Sequence, residues 1–484
     1  MRIIRACREM GIRTVAVYSD PDRTALHVRL ADAAYHIGPA PSAQSYLRAE
    51  ALIDIARRAG CDAVHPGYGF LSENADFAEA VTSAGLTFIG PPASAIRSMG
   101  DKTRAKQLMR AQGVPVVPGT DDAVRSDDEA LSIAQTVGYP ILVKAAAGGG
   151  GKGIRLVEQE ADLLKSIQAA RNEARMAFGD ERVYIEKFVV KPRHIEIQVL
   201  ADSHGNVIHL GERECSIQRR SQKVIEESPS AIMTPELRMA MGEAAVRAAS
   251  TCGYVNAGTV EFLVDAERNF YFLEMNTRLQ VEHPVTELVT GIDLVKAQIR
   301  IARGERLPWR QGDIAFRGHA IEARICAEDV ASNFLPSTGT ISYYKPSQGY
   351  GVREDSGVDQ GTEIGINYDP MFAKLIVWGM DRRDAIDKMK RALDDYRIIG
   401  VETTIPFCRY VMDHDAFVSG DFQIDFVQRY FRPEQLAGPT AEEICAAAVA
   451  AVLLRQRPGA PSVTAGDRQG ASTSRWNLQN RVRS

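Results

Sequence analysis

The pattern of apolar and polar positions changes period along the chain, and each change marks a different kind of structure. Over residues 1–90, Ile3, Ile4, Cys7 and Met10 form a helical stripe that Gly11 ends. Strands are predicted at 14–18, 31–37, 63–65 and 87–89, with helices over 46–59 and 74–84 between them. Strands alternating with helices predict a parallel, doubly wound α/β sheet. The pattern starts inside its first helix, with no strand ahead of it. The first strand of such a sheet is usually central. Its neighbours are therefore expected to present unpaired edges, as from a start assigned too late or a truncated copy.

Residues 91–115 read as a helical linker, with Lys102 near the start of its second helix. Between 116 and 188, strands at 139–145, 154–157 and 183–188 and a helix over 160–176 predict a compact α+β unit. From 189 to 432 period-two alternation dominates, in 193–200, 318–329, 338–344 and 373–378, with a helix over 382–396. That predicts a large antiparallel-sheet domain. Residues 433–484 hold an alanine-rich helix over 441–454. After it comes a Pro-, Gly-, Ser- and Arg-rich stretch that reads as a disordered tail without assigned function.

Within the large domain, Val260-Glu-Phe-Leu-Val and Phe270-Tyr-Phe-Leu-Glu-Met-Asn flank the polar turn 265–269 and predict a β-hairpin. Pairing Val264 with Tyr271 sets Glu261 opposite Glu274, with Asn276 on the same face. Facing carboxylates destabilise a strand pair by up to about 1 kcal/mol. A divalent cation removes that penalty, and two carboxylates with an amide oxygen suit Mg²⁺ that also holds phosphate. The alternation runs on through Arg278, Gln280 and Glu282, which predicts a row of metal ligands, an anion binder and a base. The ordinary alternative is a solvated strand face.

Other segments add to this picture. Ala147-Gly-Gly-Gly-Gly-Lys-Gly153 joins two predicted strands, and Lys152 is followed by Gly153, so it is not a P-loop. Its backbone N–H groups can still cradle a triphosphate, with Lys144 as a point charge; a flexible hairpin tip is the plain alternative. Arg219, Arg220, Lys223, Arg278 and Arg324 are too many cations for a buried core without anions to meet them. The net charge of −4 offers no basic field for nucleic acid or anionic membrane, and no apolar run approaches a bilayer span. Cysteines 7, 61, 215, 252, 326, 408 and 445 are scattered, without a Cys-x-x-Cys pair, and read as reduced thiols of a cytoplasmic protein.

Taken together, six segments resemble the biotin carboxylase branch of the ATP-grasp superfamily over residues 1 to about 432. They are His65-Pro-Gly-Tyr-Gly-Phe-Leu-Ser-Glu-Asn74, Met99-Gly-Asp-Lys102, the loop 148–153, Arg193-His194, Gln218–Glu227 and Glu274–Glu287. The resemblance implies an ATP-grasp fold with an N-terminal Rossmann-like parallel sheet (first strand missing) over 1–90, a linker over 91–115, a mobile lid over 116–188 and a C-terminal antiparallel-sheet domain over 189–432. It implies that Lys102, Lys144, Gly148, Gly149, Gly150 and Gly151 contact ATP phosphates and that Glu186, Lys187, Val189 and Leu263 line the adenine pocket. Glu261, Glu274 and Asn276 would hold Mg²⁺ or Mn²⁺. Arg278, Lys223 and Val281 would bind bicarbonate and Glu282 would deprotonate it. Tyr68, His194, Gln218 and Arg324 would surround biotin.

The implied reaction is ATP-dependent carboxylation of biotin through carboxyphosphate, the first half-reaction of an acetyl-CoA or acyl-CoA carboxylase. No Ala-Met-Lys-Met-like segment occurs, so biotin is expected on a separate carboxyl carrier protein. Further expected partners are a second copy of this chain and a carboxyltransferase. Two alternatives remain: another ATP-grasp ligase, and a truncated paralogue kept as a binding protein.

Overall fold

Four short strands open the chain: β1 (Val15–Ser19), β2 (Ala33–Gly38), β3 (Ala63–Val64) and β4 (Thr87–Phe88). β1 pairs with β2 and β3 with β4, both in parallel. Among the described residues the two pairs share no hydrogen-bonded edge, in keeping with the expected parallel sheet whose first strand is missing and whose neighbouring edges are unpaired. Helices Ala49–Arg58 and Ala75–Ser83 pack on the second ribbon through Ala56, Phe77, Val81 and Leu86. The second of these helices is capped by Asn74, whose Oδ1 accepts from the Phe77 N–H at 2.7 Å. That cap ends the loop that begins at His65.

The structure, a computed structural model, describes residues 1–436 except 121, 146–153 and 179, followed by 445, 446, 448–450 and 452; of residues 102, 103, 177 and 178 it describes the backbone only. Met1–Pro433 forms one compact unit. In Glu434–Ser484 the described residues beyond 436 are helical, within the helix expected over 441–454. The expected tail, 457–484, lies outside the described residues.

β5 (Ile141–Ala145), β6 (Ile154–Val157) and β7 (Val183–Lys187) form an antiparallel sheet in the order β6-β5-β7. Helices Asp127–Val137 and Leu163–Phe178 pack on it around a core of its own, which includes Ile141, Val143, Leu163, Ile167 and Ile185.

The rest is built on β8 (Arg193–Ala201), β9 (Val207–Arg219), β10 (Gln222–Ser228), β11 (Asn256–Val264), β12 (Phe270–Asn276) and β13 (His319–Cys326), together with strands Val352–Ser356 and Met371–Gly379. They make one eight-stranded antiparallel sheet in the order β12-β11-β8-β9-β10-β13, then Met371–Gly379 and Val352–Ser356. On one face Ile195, Ile197, Val199, Val260, Phe262 and Phe272 pack against helix Pro235–Thr251. The expected strand at 338–344 is instead two short pieces, Gly339–Thr340 and Tyr343–Lys345, each with a different partner.

Residues 211–229 carry no hairpin signal in the sequence, yet β9 and β10 turn tightly through Arg220 and Ser221. Both have positive φ, 51° and 65°. Two-residue hairpin turns need that conformation and usually recruit Asn-Gly for it. Here two L-residues with full side chains accept the strain, and the turn ends at the wall of a large cleft.

Candidate active site

The acids of the site form a row across the sheet. Arg213 on β9 pairs with Glu196 on β8, Glu196 with Glu261 on β11, and Glu261 with Glu274 on β12. The next row is Gln198, Thr259 and Asn276. Side chains two apart share a face, so both rows project from the side opposite helix Pro235–Thr251. This face floors a cleft of about 1300 Å³.

Glu261 and Glu274 meet, but not by the expected register. Val264 faces Phe270 rather than Tyr271, and Leu263 faces Tyr271. Continued unbroken, that pairing would offset the two acids. A bulge at Leu273 adds one residue to β12 and restores Glu261 opposite Glu274. The same bulge leaves Phe272 and Met275, three residues apart, both buried.

The row beyond the hairpin also differs from expectation. β12 ends at Asn276, and residues 277–282 leave the sheet as a loop. Glu282 is the N-cap residue of helix His283–Thr290, which has a proline in its first turn. Arg278, Gln280 and Glu282 thus reach the site from a loop rather than along one strand face.

Lys223, on β10, reaches into the row. Its Nζ lies 2.5 Å from Glu196 Oε2, 2.9 Å from Glu261 Oε1 and 2.7 Å from Glu282 Oε1. Burial opposes the ammonium charge, but the three carboxylates outweigh it and raise the Lys223 pKa well above the ordinary lysine value. Burial likewise favours neutral Glu261 and Glu282, and again the partners win. Lys223 and His194 hold Glu261 well below the usual carboxylate range; Lys223, Arg324 and Arg213 do the same for Glu282.

Arg324 donates from Nη2 to Glu282 Oε2 at 2.9 Å and from Nε to Glu226 Oε1 at 2.6 Å. Arg278 donates from Nε to Glu73 Oε2 at 2.8 Å and from Nη2 to Asn276 Oδ1 at 2.9 Å. Glu73 also accepts the Thr277 N–H at 2.9 Å, so the loop after β3 holds the loop after β12. Arg219 pairs with Glu328 at 2.7 Å. The cations expected to need anions find them in the same chain for four of the five: glutamates meet Arg219, Lys223, Arg278 and Arg324.

Arg213 is fully buried, and its guanidinium is satisfied all round. Nε donates to Glu196 Oε1 at 2.5 Å, Nη1 to Gln198 Oε1 and Thr286 Oγ1, and Nη2 to Thr259 Oγ1 and Gln280 Oε1. Gln280 in turn donates to Glu261 Oε1 at 2.7 Å, as does Asn276 Nδ2 at 2.8 Å. Arg213 thus orients two of the three carboxylates around Lys223, Glu196 directly and Glu261 through Gln280.

His194 is set by Gln218. The Gln218 amide donates to the Cys215 carbonyl at 2.8 Å, which fixes its orientation, and to His194 Nδ1 at 2.9 Å. With Nδ1 accepting, the ring proton sits on Nε2, 2.9 Å from Glu261 Oε2.

The remaining predicted residues divide. Tyr68, Lys144, Leu263, Glu274 and Val281 line the cleft. The Val281 carbonyl accepts from Lys374 Nζ. Lys144 Nζ is 2.5 Å from Glu186 Oε2, and Glu186 also meets Lys106. Glu186, Lys187 and Val189 do not line the cleft; Lys187 Nζ donates to the Gly138 and Tyr139 carbonyls. The Lys102 side chain and Gly148, Gly149, Gly150 and Gly151 lie outside the described residues.

Glu73, Glu196, Arg213 and Glu226 are site residues that sequence reasoning did not select. For Glu196 a local signal existed, since it shares strand parity with His194. For Arg213 the deciding fact is a pairing between strands, which alternation alone does not carry.

Residues 1–96 match the family model described as biotin carboxylase, N-terminal domain. Residues 101–310 match carbamoyl-phosphate synthase L chain, ATP binding domain, and 322–429 match biotin carboxylase C-terminal domain. Biotin carboxylase 1 of Bacillus subtilis is 54% identical over 431 residues, 89% of this chain and 96% of that one. Biotin carboxylase of a Nostoc species is 54% identical over 428 residues, 88% of this chain and 96% of that one. Among solved structures, the biotin carboxylase domain dimer of Hydrogenobacter thermophilus 2-oxoglutarate carboxylase, in complex with MgADP, ADP and bicarbonate, superposes with a TM-score of 0.85 at 49% identity, covering 90% of this chain and 96% of that one. A biotin carboxylase–nucleotide complex from Campylobacter jejuni gives 0.85 at 48%, covering 89% and 96%. With this identity across nearly the whole length of such relatives, and with the acid row, the Lys223 cage and the ATP-grasp fold in one cleft, the chain belongs to the biotin carboxylase family of ATP-dependent ligases.

Proposed function

We propose that this chain carboxylates biotin carried on a separate carrier protein, consuming ATP and bicarbonate, as the first half-reaction of an acetyl-CoA or acyl-CoA carboxylase. The observation that carries the reading is the Lys223–Glu282–Arg324 constellation, an ionised buried carboxylate bridged by two cations. Bicarbonate is a poor electrophile. Bound against Lys223, Arg278 and the Val281 backbone, it gives its proton to Glu282 and attacks the γ-phosphorus of ATP, releasing ADP and forming carboxyphosphate. Carboxyphosphate breaks down to CO₂ and phosphate, the phosphate removes the ureido proton of biotin, and the biotin nitrogen attacks CO₂. Arg324 faces the charge that grows on the ureido oxygen, while Tyr68, His194 and Gln218 bound the biotin. Lys144 meets the ATP phosphates, with Lys102 and the glycine loop as further phosphate donors; of the residues expected around the adenine, Leu263 is the one on the cleft wall that frames it. Phosphoryl transfer of this kind depends mainly on positioning and charge. A lid that closes over the site protects carboxyphosphate from water.

The donor set fits a hard dication. Glu261 and Glu274 are register partners, and Asn276 follows in the next row. Bound there, Mg²⁺ or Mn²⁺ supplies charge neutralisation at the phosphates. Glu274→Gln is expected to raise the Mg²⁺ concentration for half-maximal activity by about tenfold or more, read by metal titration at fixed ATP. An unchanged metal requirement would count against this assignment.

The function itself is tested by ATP cleavage in bicarbonate, with and without free biotin. The expected result is acceleration by biotin and formation of carboxybiotin. Bicarbonate-dependent cleavage that biotin leaves unchanged points to another ATP-grasp ligase, and binding without cleavage points to a binding protein. Reconstitution with candidate carrier and carboxyltransferase proteins, assayed with acetyl-CoA and other acyl-CoA acceptors, tests the acceptor class. Sedimentation tests the homodimer.

A further inference from the structure

Two acids behind Arg324 have no role in the reaction as described. Glu226 on β10 and Glu322 on β13 are direct cross-strand partners, and both are fully buried. Glu226 Oε1 accepts from Arg324 Nε at 2.6 Å, while its Oε2 has no hydrogen-bond partner. Neither oxygen of Glu322 has one; the nearest cation, Lys374 Nζ, lies 3.6 Å from Oε2 and donates instead to the Val281 carbonyl. Three of the four carboxyl oxygens are thus buried without a hydrogen bond, an arrangement that two full negative charges would make very costly.

The surrounding charges do not remedy this. Arg324 is shared with Glu282, Lys374 with Val281, and Lys223 with three other glutamates. From helix His283–Thr290, packed on this face, comes buried His283, held neutral by its burial with help from nearby cations. From strand Val352–Ser356 comes Asp355, the register partner of Lys374.

We infer that Glu226 and Glu322 share one proton, and that the resulting single charge on Glu226 is a positioning device that fixes Arg324 by its Nε so that Nη2 faces the reacting centre. Two facing carboxyls that cannot both ionise resolve their repulsion in this way. Burial pushes both carboxyls upward, with Arg324 and Lys374 as the partial counterweights. Loss of the shared proton at high pH places a second charge behind Arg324 and draws it from Glu282 and from the biotin oxygen. The kinetic part of this inference rests on the carboxylation reading above; the proton itself does not.

The test uses the full chain with two variants. Glu226→Gln removes the carboxylate charge that Arg324 Nε donates to and is expected to lower kcat by about tenfold or more while KM for ATP stays unchanged. Glu322→Gln mimics the protonated partner and is expected to remove the basic limb of the kcat–pH profile. Infrared spectra of the unmodified protein are expected to show a buried carboxylic-acid carbonyl band near pH 7, absent in Glu322→Gln. No such band overturns the shared proton, whether or not the variants fold. A basic limb identical in parent and Glu322→Gln, or Glu226→Gln with parental kcat, overturns the positioning role. If the parent shows no biotin-stimulated turnover, the functional reading fails while the infrared band still decides the pair.

Discussion

Glu282→Gln is expected to lower the rate of biotin carboxylation by about 10²–10⁴-fold, the usual contribution of a general base, while ATP binding persists. The substitution keeps the shape of the side chain and removes only its charge and basicity. Lys223 keeps Glu196 and Glu261, and Arg324 keeps Glu226, so the cations stay in place. Lys144 and Glu186 interact with each other on β5 and β7 and have no contact with Glu282 among the hydrogen bonds and ion pairs of the described residues, so nucleotide affinity is expected to hold. Steady-state carboxybiotin formation reads the first effect and calorimetric ATP titration the second. Turnover within about tenfold of the parent would remove Glu282 as the base.

The largest effect on stability is expected from Arg213→Met. The replacement fills similar space but leaves Glu196 Oε1, Gln198, Thr259, Gln280 and Thr286 without the donors that now satisfy them. Breaking a buried, hydrogen-bonded ion pair from one side costs about 3–5 kcal/mol. Gln280 would also lose the bond that orients it toward Glu261. Chemical denaturation measures the loss. A change under about 1 kcal/mol would show that the network relaxes around the gap and that Arg213 is dispensable to the row.

Local pattern carried much of this site. The hairpin, its turn and the approach of Glu261 to Glu274 were legible because apolar alternation on both sides of 265–269 is strong. The bulge at Leu273 was not, because it depends on how Phe272 and Met275 fit the core rather than on their own alternation. Arg213 and Glu196 were invisible as partners of Glu261: β9, β10 and helix Pro235–Thr251 separate β8 from β11 in the chain, and the short β8–β9 connection leads into a ladder whose register shifts between Ile197 and Val199, which alternation does not announce. The β9–β10 turn has no local signature because Arg220 and Ser221 stand where Asn-Gly is the usual signal. The N-terminal strands were legible, and so was the break between their two pairs, because the alternation begins inside a helix with no strand ahead of it. Motif resemblance supplied what periodicity could not, in Lys223, His194 and Arg324, which three different strands bring to one face.

The bulge in β12 separates two demands that a regular hairpin would tie together. Toward the turn, Phe262, Phe270 and Phe272 are indexed to the apolar core by edge-to-face ring packing. Beyond Leu273, Glu274 and Asn276 are indexed to the chemistry. One inserted residue acts as a gear between these halves, so each can be refined by substitution without rotating the other. Sequence drift in the exposed turn 265–269 is then inexpensive, and deletion of Leu273 alone would close the bulge into a regular ladder that keeps Glu274 opposite Glu261 and removes only the extra side chain that lines the cleft beside it.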